Sequence, residues 1–408
     1  MMILANDFGE FFKDFWDSTS IAGIFQDGGW KDLIMILIAF LLLYLAIAKK
    51  AEPYLLIPMA IGCLLSNIAD LGFRGANAAN NPIFYELVTT NEEGKIISTT
   101  YSGLIGYLYK AGITTEIFPC LIFLGIGATT DFGPLIAQPS MMILGAAAQL
   151  GIFITFLLAI PMGFTAQEAA SIGIIGGADG PTAILTASTL SPKLLASIAI
   201  AAYSYMALIP FIQPPIIRLL TTKKERRIHM EEVKPVSKKK RILFPIVVTA
   251  ITALIVPSCA PLIGCLMLGN LIKESGVVPK LVETSSNAIL YTSTIMIGIC
   301  VGATATGETF LNLQTLEIFA LGIFAFVMAT AGGVLIGKLM EVCTHGKVNP
   351  MIGAAGVSAV PMAARVVQKE AQREDSSNFL LMQAMGPNVA GVIGSAVAAG
   401  LFIMAFGA

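Results

Sequence analysis

The sequence predicts an all-α, polytopic integral membrane protein of roughly ten transmembrane helices, with two structurally related halves that contain broken or re-entrant helices. Of its 408 residues, 56% are hydrophobic and only 12% are charged, and the mean hydropathy is +0.80. A soluble domain carries roughly 25% charged residues, so lipid rather than water must cover most of the outside. The net charge of −1 excludes a strongly basic nucleic-acid surface.

The clearest span is LIMILIAFLLLYLAIA, which ends at Ala48 between Trp30 and the pair Lys49 and Lys50. Before it, residues 6–30 mix acids with aromatics and form either an amphipathic helix at the interface or a helix packed on the protein's own surface. Further spans are expected at about 53–68, 113–129, 140–161, 193–220, 242–256, 285–301, 317–340 and 388–406. Weaker helical segments are expected at 102–110, 258–272, 350–368 and 378–386.

The connection 221–241 indicates the orientation of the chain. It reads TTKKERRIHMEEVKPVSKKKR and lies between two strong spans. By the positive-inside rule this basic loop is cytoplasmic, and Lys49 and Lys50 favour the same side for the end of the first span. The acidic amino terminus and the connection 77–102 then lie outside.

An internal repeat points to the functional region. FLGIGATTDFGP (123–134) and IGICVGATATGETF (297–310) share Gly-Ala-Thr followed by an acid. Each is followed by a long apolar span and then by a glycine-rich segment with a proline, IGIIGGADGPTAI (172–184) or MIGAAGVSAVPMAA (351–364). Interrupted spans are expected after these segments, at 203–210 and 386–394. Such matching interruptions in two halves are typical of a transporter binding site.

This repeat divides the chain into five predicted regions. Residues 1–111 form the interfacial segment and first spans, and 112–221 form the first repeat. The basic loop is 222–241, the connecting spans are 242–282, and the second repeat is 283–408.

Asp179 is the strongest candidate site residue. It lies in GGADGPT between apolar runs, where a carboxylate costs about 2.5–3.5 kcal/mol even on a lenient insertion scale. Gly176, Gly177, Gly180 and Pro181 predict a helix break at this point. Unwound carbonyls with one carboxylate suit a hard monovalent cation, which we favour over a purely structural helix cap.

The remaining candidates each have a structural alternative. Asn388 in GPNVAG offers an amide oxygen, or it forms a turn. Tyr203 and Tyr205 lie in the middle of a span, where their hydroxyls reach a polar cavity or the rings serve as interface anchors. The second glycine-rich segment contributes three more polar candidates, and its arginine could instead extend to the interface; the three are Asn349, Ser358 and Arg365.

Other chemistry finds little support in the sequence. The six cysteines show no CxxC spacing and are interpreted as small buried hydrophobes, and His229 and His345 lie far apart in polar connections. No Gly-x-x-x-x-Gly-Lys loop followed by Ser or Thr is present to bind ATP phosphates.

Several of these motifs together resemble the beta subunit of biotin-dependent sodium-translocating decarboxylases, which act on oxaloacetate, methylmalonyl-CoA, glutaconyl-CoA or malonate. The resemblance rests on Asp179 in GGADGPT, on Tyr205 in AYSYMALIP with the following QPP, and on GPNVAGVIGS. It rests equally on the spacing of Asn349, Gly353, Ser358 and Arg365. It covers the chain from about residue 113 to the end, and more loosely the first spans.

The resemblance implies a membrane subunit that couples the decarboxylation of carboxybiotin to outward Na⁺ transport and consumes a proton. Asp179, Asn388, Asn349 and Ser358 would bind or line the path of Na⁺. Tyr205, Arg365 and Ser358 would take part in catalysis, with Tyr205 relaying the proton and Arg365 receiving the carboxylate or balancing Asp179. Gly353 would permit a close backbone approach.

The resemblance also implies partners. Because the chain has no Met-Lys-Met biotin acceptor, biotin must come from a partner subunit. The implied partners are biotin-carrier and carboxyltransferase subunits, a small membrane-anchored gamma/delta-type subunit, membrane lipid and further copies of this subunit. Two alternatives are a stand-alone secondary transporter (a Na⁺/H⁺ antiporter or an organic-anion symporter) and a structural anchor for soluble subunits.

Overall fold

The computed structural model describes residues 13, 15–16, 19–26, 28–50, 52–73, 81–90, 96–359 and 361–407. The predicted all-α class is confirmed, since helices make up most of this part of the chain. The α-helices are α1 Ser20–Ile24, α2 Gly29–Ala48, α3 Pro53–Gly72, α4 Leu104–Gly112, α5 Ile117–Thr129, α6 Gly133–Ala137, α7 Met142–Ala148, α8 Leu150–Ala159, α9 Ala166–Gly173, α10 Gly180–Leu190, α11 Leu195–Leu220, α12 Lys223–Arg226, α13 Lys238–Ile255, α14 Ala260–Ser275, α15 Pro279–Glu283, α16 Leu290–Ala303, α17 Gly307–Phe310, α18 Leu313–Cys343, α19 Met362–Glu374 and α20 Leu381–Phe406.

Shorter elements join these helices. The 3₁₀ helices are Pro139–Met141, Ile160–Met162, Ile174–Gly177, Pro192–Leu194, Pro257–Cys259 and Pro350–Gly356, and Thr284–Ile289 is a π-helix. Strands β1 (Tyr85–Thr90) and β2 (Ile96–Ser102) form an antiparallel hairpin that pairs Tyr85 with Ser102. The hairpin lies in the predicted outside connection, for which the sequence indicated no regular element.

Six helices or helix runs of the described chain are long and apolar enough to cross a membrane. They are Gly29–Ala48, Pro53–Gly72, Pro139–Met162, Pro279–Ala303, Leu313–Cys343 and Leu381–Phe406. Two helix pairs bent by 62° and 64°, Leu104–Gly112 with Ile117–Thr129 and Pro192–Met206 with Leu208–Leu220, raise this number to eight. The predicted number of roughly ten crossings is therefore not confirmed. One reason is that the span expected at 242–256 belongs to α13, whose first turn carries four basic residues.

Residues 1–118 and 294–315 form one compact unit of the chain. Within it, α2 packs along α3. A Cβ atom on Gly302 of α16 would lie 1.9 Å from the carbonyl oxygen of Met59 on α3, so the backbones of these two helices are in direct contact. Small residues permit this closeness between membrane helices, where dispersion contacts replace a hydrophobic driving force.

Residues 119–293 and 316–408 form the second compact unit, which contains both glycine-rich segments. Its central element is α20, which packs against α7, α10 and the 3₁₀ helix Pro350–Gly356. The interruption expected at 386–394 is wrong, because α20 runs unbroken through Pro387. Most residues of this helix from Gln383 to Phe402 are themselves buried, and tertiary packing overrides the local effect of the proline.

Candidate functional site

The first broken segment, residues 174–180, runs from the 3₁₀ helix to the first residue of α10. Ala178 has a φ of 54°, in the left-handed region that favours glycine. Such a conformation costs about 1–3 kcal/mol and persists only where the surroundings impose it. Asp179 follows at the N-cap position of α10. The helix break predicted at this point is confirmed.

The second broken segment, residues 350–359, consists of a 3₁₀ helix followed by extended backbone at Val357. The backbone N–H of Ser358 donates a 3.0 Å hydrogen bond to the carbonyl of Gly177, so the two broken segments contact each other directly. A Cβ atom on Gly353 would lie 1.9 Å from the carbonyl oxygen of Gly333. The close backbone approach expected at Gly353 is thereby confirmed.

The carboxylate of Asp179 lies beside this contact and is 6% exposed. It accepts a 2.8 Å hydrogen bond from the hydroxyl of Ser395 on α20 and a second hydrogen bond from the hydroxyl of Thr182. Both hydroxyl side chains are fully buried. The carboxylate is therefore held by one group from its own half-helix and one from α20.

Three buried side-chain oxygens on or beside the two broken segments have no hydrogen-bond partner among the described residues: Gln149 Oε1, Ser358 Oγ and Asn388 Oδ1. The amide of Asn388 donates to the carbonyls of Ala355 (2.9 Å) and Val357 (2.8 Å), which leaves its oxygen unused. Gln149 Oε1 lies 3.6 Å from the place that a Cβ atom on Gly177 would take.

An unsatisfied buried polar group costs about 1–3 kcal/mol. These three oxygens and the Asp179 carboxylate all belong to the region where the two broken segments meet, and oxygen ligands match the preference of hard cations.

No basic side chain in the part of the chain that the structure describes balances the charge of Asp179. None of the ion pairs in the described part of the chain involves this residue. A buried carboxylate without a counter-charge is energetically costly, so it takes up a cation or a proton. Exchange of one for the other keeps the site neutral.

The structure brings some of the sequence-predicted residues together and separates others. Asp179, Asn388 and Ser358 belong to the cluster just described. Asn349 does not, because its amide donates to the carbonyls of Arg226 and Ile228 while its oxygen accepts from the backbone of Met351.

Arg365 also lies outside this cluster. It is exposed in the first turn of α19, without an ion pair to any residue that the structure describes.

The two tyrosines of α11 have different surroundings. The hydroxyl of Tyr205 donates a 2.7 Å hydrogen bond to the carbonyl of Phe319 on α18, and its ring packs edge-on against Phe319 and Phe326. Tyr203 lies closer to the first break, since a Cβ atom on Gly180 would stand 2.1 Å from its hydroxyl oxygen. Of the two tyrosine hydroxyls, that of Tyr203 therefore packs against the residue that follows Asp179 in the sequence.

Sequence reasoning missed Gln149, Thr182 and Ser395 as members of the cluster. Ser395 lies seven residues after Asn388, which places both on one face of a helix. Thr182 lies three residues after Asp179, within one turn. No comparable signal marks Gln149, because its place depends on how α7 and α8 pack against α20.

The basic loop is fixed against the carboxyl-terminal end of α19. Arg226 is buried and pairs with Glu374 at 2.7 Å, and His229 lies 3.0 Å from Asp375. The hydrogen bond from Arg226 lowers the pKa of Glu374. Hydrogen bonds from Ser377 and then His229 lower the pKa of Asp375 to about 2. Because these pKa values are depressed, the contacts contribute above about pH 4 and are lost as the pH falls towards 2.

A family model described as the Na⁺-transporting oxaloacetate decarboxylase beta subunit matches residues 31–406. The chain belongs to this family. It is 54% identical over 399 residues to the methylmalonyl-CoA decarboxylase subunit beta of Propionigenium modestum, covering 97% of this chain and 98% of that one. It is 50% identical to the glutaconyl-CoA decarboxylase subunit beta of Acidaminococcus fermentans (95% and 98% covered), and 48% identical to the oxaloacetate decarboxylase beta chain of Klebsiella pneumoniae (92% and 95% covered).

Membership of the beta-subunit family agrees with the architecture. The chain is a multi-pass membrane protein, and beta subunits of this family are membrane components of multi-subunit Na⁺-transporting decarboxylases. The match includes every residue of the Asp179 cluster. The family assignment gives no support to a stand-alone secondary transporter.

Proposed function

We propose that this chain is the Na⁺-translocating membrane subunit of a biotin-dependent decarboxylase, which couples the decarboxylation of carboxybiotin to outward Na⁺ transport with consumption of a proton. The observation that carries the proposal is the buried Asp179 carboxylate at the contact between two broken segments, which has no basic partner among the residues that the structure describes. Family membership supplies the reaction, and the cluster supplies a place for the ion.

Na⁺ is the transported substrate in this proposal. Asp179 would supply the negative charge, and the unpartnered oxygens of Asn388, Ser358 and Gln149 would replace part of the ion's hydration shell. Ser395 can serve in both states of the site, because its single hydroxyl proton points either to Asp179 or to the carbonyl of Val392 at 3.0 Å. In the second orientation its oxygen lone pairs face the carboxylate, where a cation would lie.

Proton uptake follows from the same electrostatics. When Na⁺ leaves, the uncompensated Asp179 carboxylate takes up a proton, and the next Na⁺ displaces that proton. Decarboxylation of carboxybiotin consumes a proton, and we propose Tyr205 as a relay and Arg365 as the receptor for the carboxylate. Arg365 suits this role because it is exposed and unpaired within the described chain, while Tyr205 would have to release the carbonyl of Phe319.

Biotin would be supplied by a partner subunit, together with a carboxyltransferase and a small membrane-anchored subunit. The named relatives belong to decarboxylases of three different carboxylic-acid substrates although this chain is 54%, 50% and 48% identical to them. Because the sequence identity of this chain to its relatives varies so little with their substrate, we infer that the substrate pocket lies on another subunit. The two glycine-rich segments, one before and one after the basic loop, are proposed as equivalent parts of two repeats.

The test is Na⁺ uptake by inside-out vesicles. With the complete complex, uptake should require the carboxylic-acid substrate and should stop when avidin blocks biotin. Vesicles that contain this chain alone should show no uphill uptake, since moving one Na⁺ against 100 mV costs about 2.3 kcal/mol. Uphill uptake by the chain alone, driven by a pH gradient, would instead establish a secondary transporter.

A further inference from the structure

A cavity of about 330 Å³ lies between the second half of α11 and the surface helix α19. One wall is apolar and is formed by residues such as Pro210, Phe211 and Pro214, with Val366 opposite them. The other end is charged and contains Arg218, Lys369, Glu370 and Arg373. The cavity is therefore amphipathic along its length, and it lies apart from the Asp179 cluster.

The charged end carries an excess of positive charge. Arg218 donates two hydrogen bonds of 2.6 and 2.7 Å to Glu370, and this ion pair neutralises the one carboxylate of the cavity. Lys369 and Arg373 are exposed and form no ion pair with any residue that the structure describes. They lie four residues apart on α19, on the same face of the helix. Two uncompensated cations therefore converge on one cavity.

The apolar wall of the cavity lies on the side of α11 that is expected to face the membrane lipid. Phe211 is 73% exposed and Leu208 is 42% exposed in the second part of a bent helix pair that is long and apolar enough to cross a membrane. Seven residues separate Phe211 from Arg218, a rise of about 10 Å along the helix. Arg218 lies near the end of α11, immediately before the basic loop, where the positive-inside rule places the cytoplasmic interface.

We propose that this cavity binds the headgroup of an anionic phospholipid from the cytoplasmic leaflet. The phosphate would lie at Arg218, Lys369 and Arg373, and the glycerol and first acyl carbons would lie along Phe211 and the prolines. Basic pockets between membrane helices on the cytoplasmic side recognise such headgroups. Inorganic phosphate shares the charged contacts but would leave the apolar wall unused. The inference does not depend on the proposed Na⁺ chemistry.

The test measures lipid binding by the purified full-length chain. Native mass spectrometry would count the adducts of phosphatidylglycerol and of phosphatidylcholine at matched concentrations. The pocket variant Lys369→Gln with Arg373→Gln removes the two uncompensated charges while it keeps side chains of similar length. The control variant Lys239→Gln with Lys240→Gln removes the same charge from exposed positions of α13.

The wild-type chain and the control should retain phosphatidylglycerol in preference to phosphatidylcholine. The pocket variant should bind phosphatidylglycerol about thirty-fold more weakly, because two cations are lost from one site. Equal losses in the control and the pocket variant would mean general surface attraction and would overturn the proposal.

Two further outcomes would also overturn it. Displacement of the lipid by inorganic phosphate at the same concentration would show a site for a soluble anion. Unchanged lipid retention in the pocket variant, with loss of the biotin-bearing partner, would show a protein docking site.

Discussion

The hydroxyl of Ser395 donates a 2.8 Å hydrogen bond to the carboxylate of Asp179, although 216 positions separate the two residues. This bond joins α20 to the first broken segment, which the N–H of Ser358 also joins to the second. The cluster therefore needs groups from both predicted repeats, and neither repeat contains it alone.

Asp179→Asn should abolish Na⁺-dependent decarboxylation while the complex still assembles. The amide keeps the size of the side chain but removes the charge that attracts the cation and the group that exchanges it for a proton. Decarboxylation and Na⁺ uptake by the reconstituted complex are the measurements, and Glu232→Gln, an exposed change in the basic loop, is the control. Wild-type pumping by the Asp179 variant would disprove the assignment.

Ser395→Ala should raise the Na⁺ concentration for half-maximal turnover about ten-fold. In the Na⁺-bound state the Ser395 oxygen would face the cation, and the loss of that oxygen, at roughly 1.4 kcal/mol, corresponds to a factor of ten. Ser188→Ala is a matched control, because that hydroxyl donates only to the carbonyl of Leu185 on the same helix as Thr182. If both variants show the same Na⁺ dependence, Ser395 has no part in ion binding.

Na⁺ should raise the thermal unfolding midpoint of the chain in NaCl relative to choline chloride at equal ionic strength. Binding to the folded state alone stabilises it by about 2.7 kcal/mol when the free ligand is at one hundred times its Kd. The shift should vanish in Asp179→Asn and persist in Glu232→Gln. Identical midpoints in the two salts for the wild-type chain would contradict an occupied Na⁺ site.

The sequence predicts those parts of the site that a few neighbouring residues determine, and it fails where contacts between distant residues decide. Asp179 can be predicted because a charged side chain within a short apolar Gly-Pro segment is energetically costly unless it has a function. Asn349 was grouped with Ser358 because the two are close in the chain. The 3₁₀ helix between them instead turns Asn349 towards the basic loop, whose carbonyls of Arg226 and Ile228 it binds.

The spans were predicted with similar limits. The first span and those near 140–161 and 317–340 match helices of the structure closely, because their apolar runs are long and uninterrupted. The interruption predicted at 386–394 is wrong, because burial of α20 on several sides outweighs the local effect of Pro387. The hairpin at 85–102 was not predicted, because its strands show no clear apolar periodicity. Long-range packing, rather than composition, decides each of these cases.

Single cysteines introduced at residues 234–240 should react with an impermeant thiol reagent only from the cytoplasmic side. The reason is the excess of Lys and Arg in this loop, which the positive-inside rule keeps inside. The measurement needs a background without the six native cysteines, and a cysteine in the 91–95 connection serves as the opposite control. Labelling of residues 234–240 in intact cells would reverse the orientation and the side from which carboxybiotin arrives.

The two tyrosines of α11 should separate proton delivery from ion binding. Tyr205→Phe should lower maximal turnover about 100-fold, the usual contribution of a positioned proton donor, because it removes only the hydroxyl bonded to the carbonyl of Phe319. Its ring contacts with α18 should keep the fold intact. Tyr203→Phe should instead shift the Na⁺ half-saturation, since its hydroxyl packs at Gly180 beside Asp179. Turnover of the assembled complex against Na⁺ concentration distinguishes the two effects. Full maximal turnover with only a shifted half-saturation in Tyr205→Phe would make Tyr205 part of the ion site and exclude it as the proton relay.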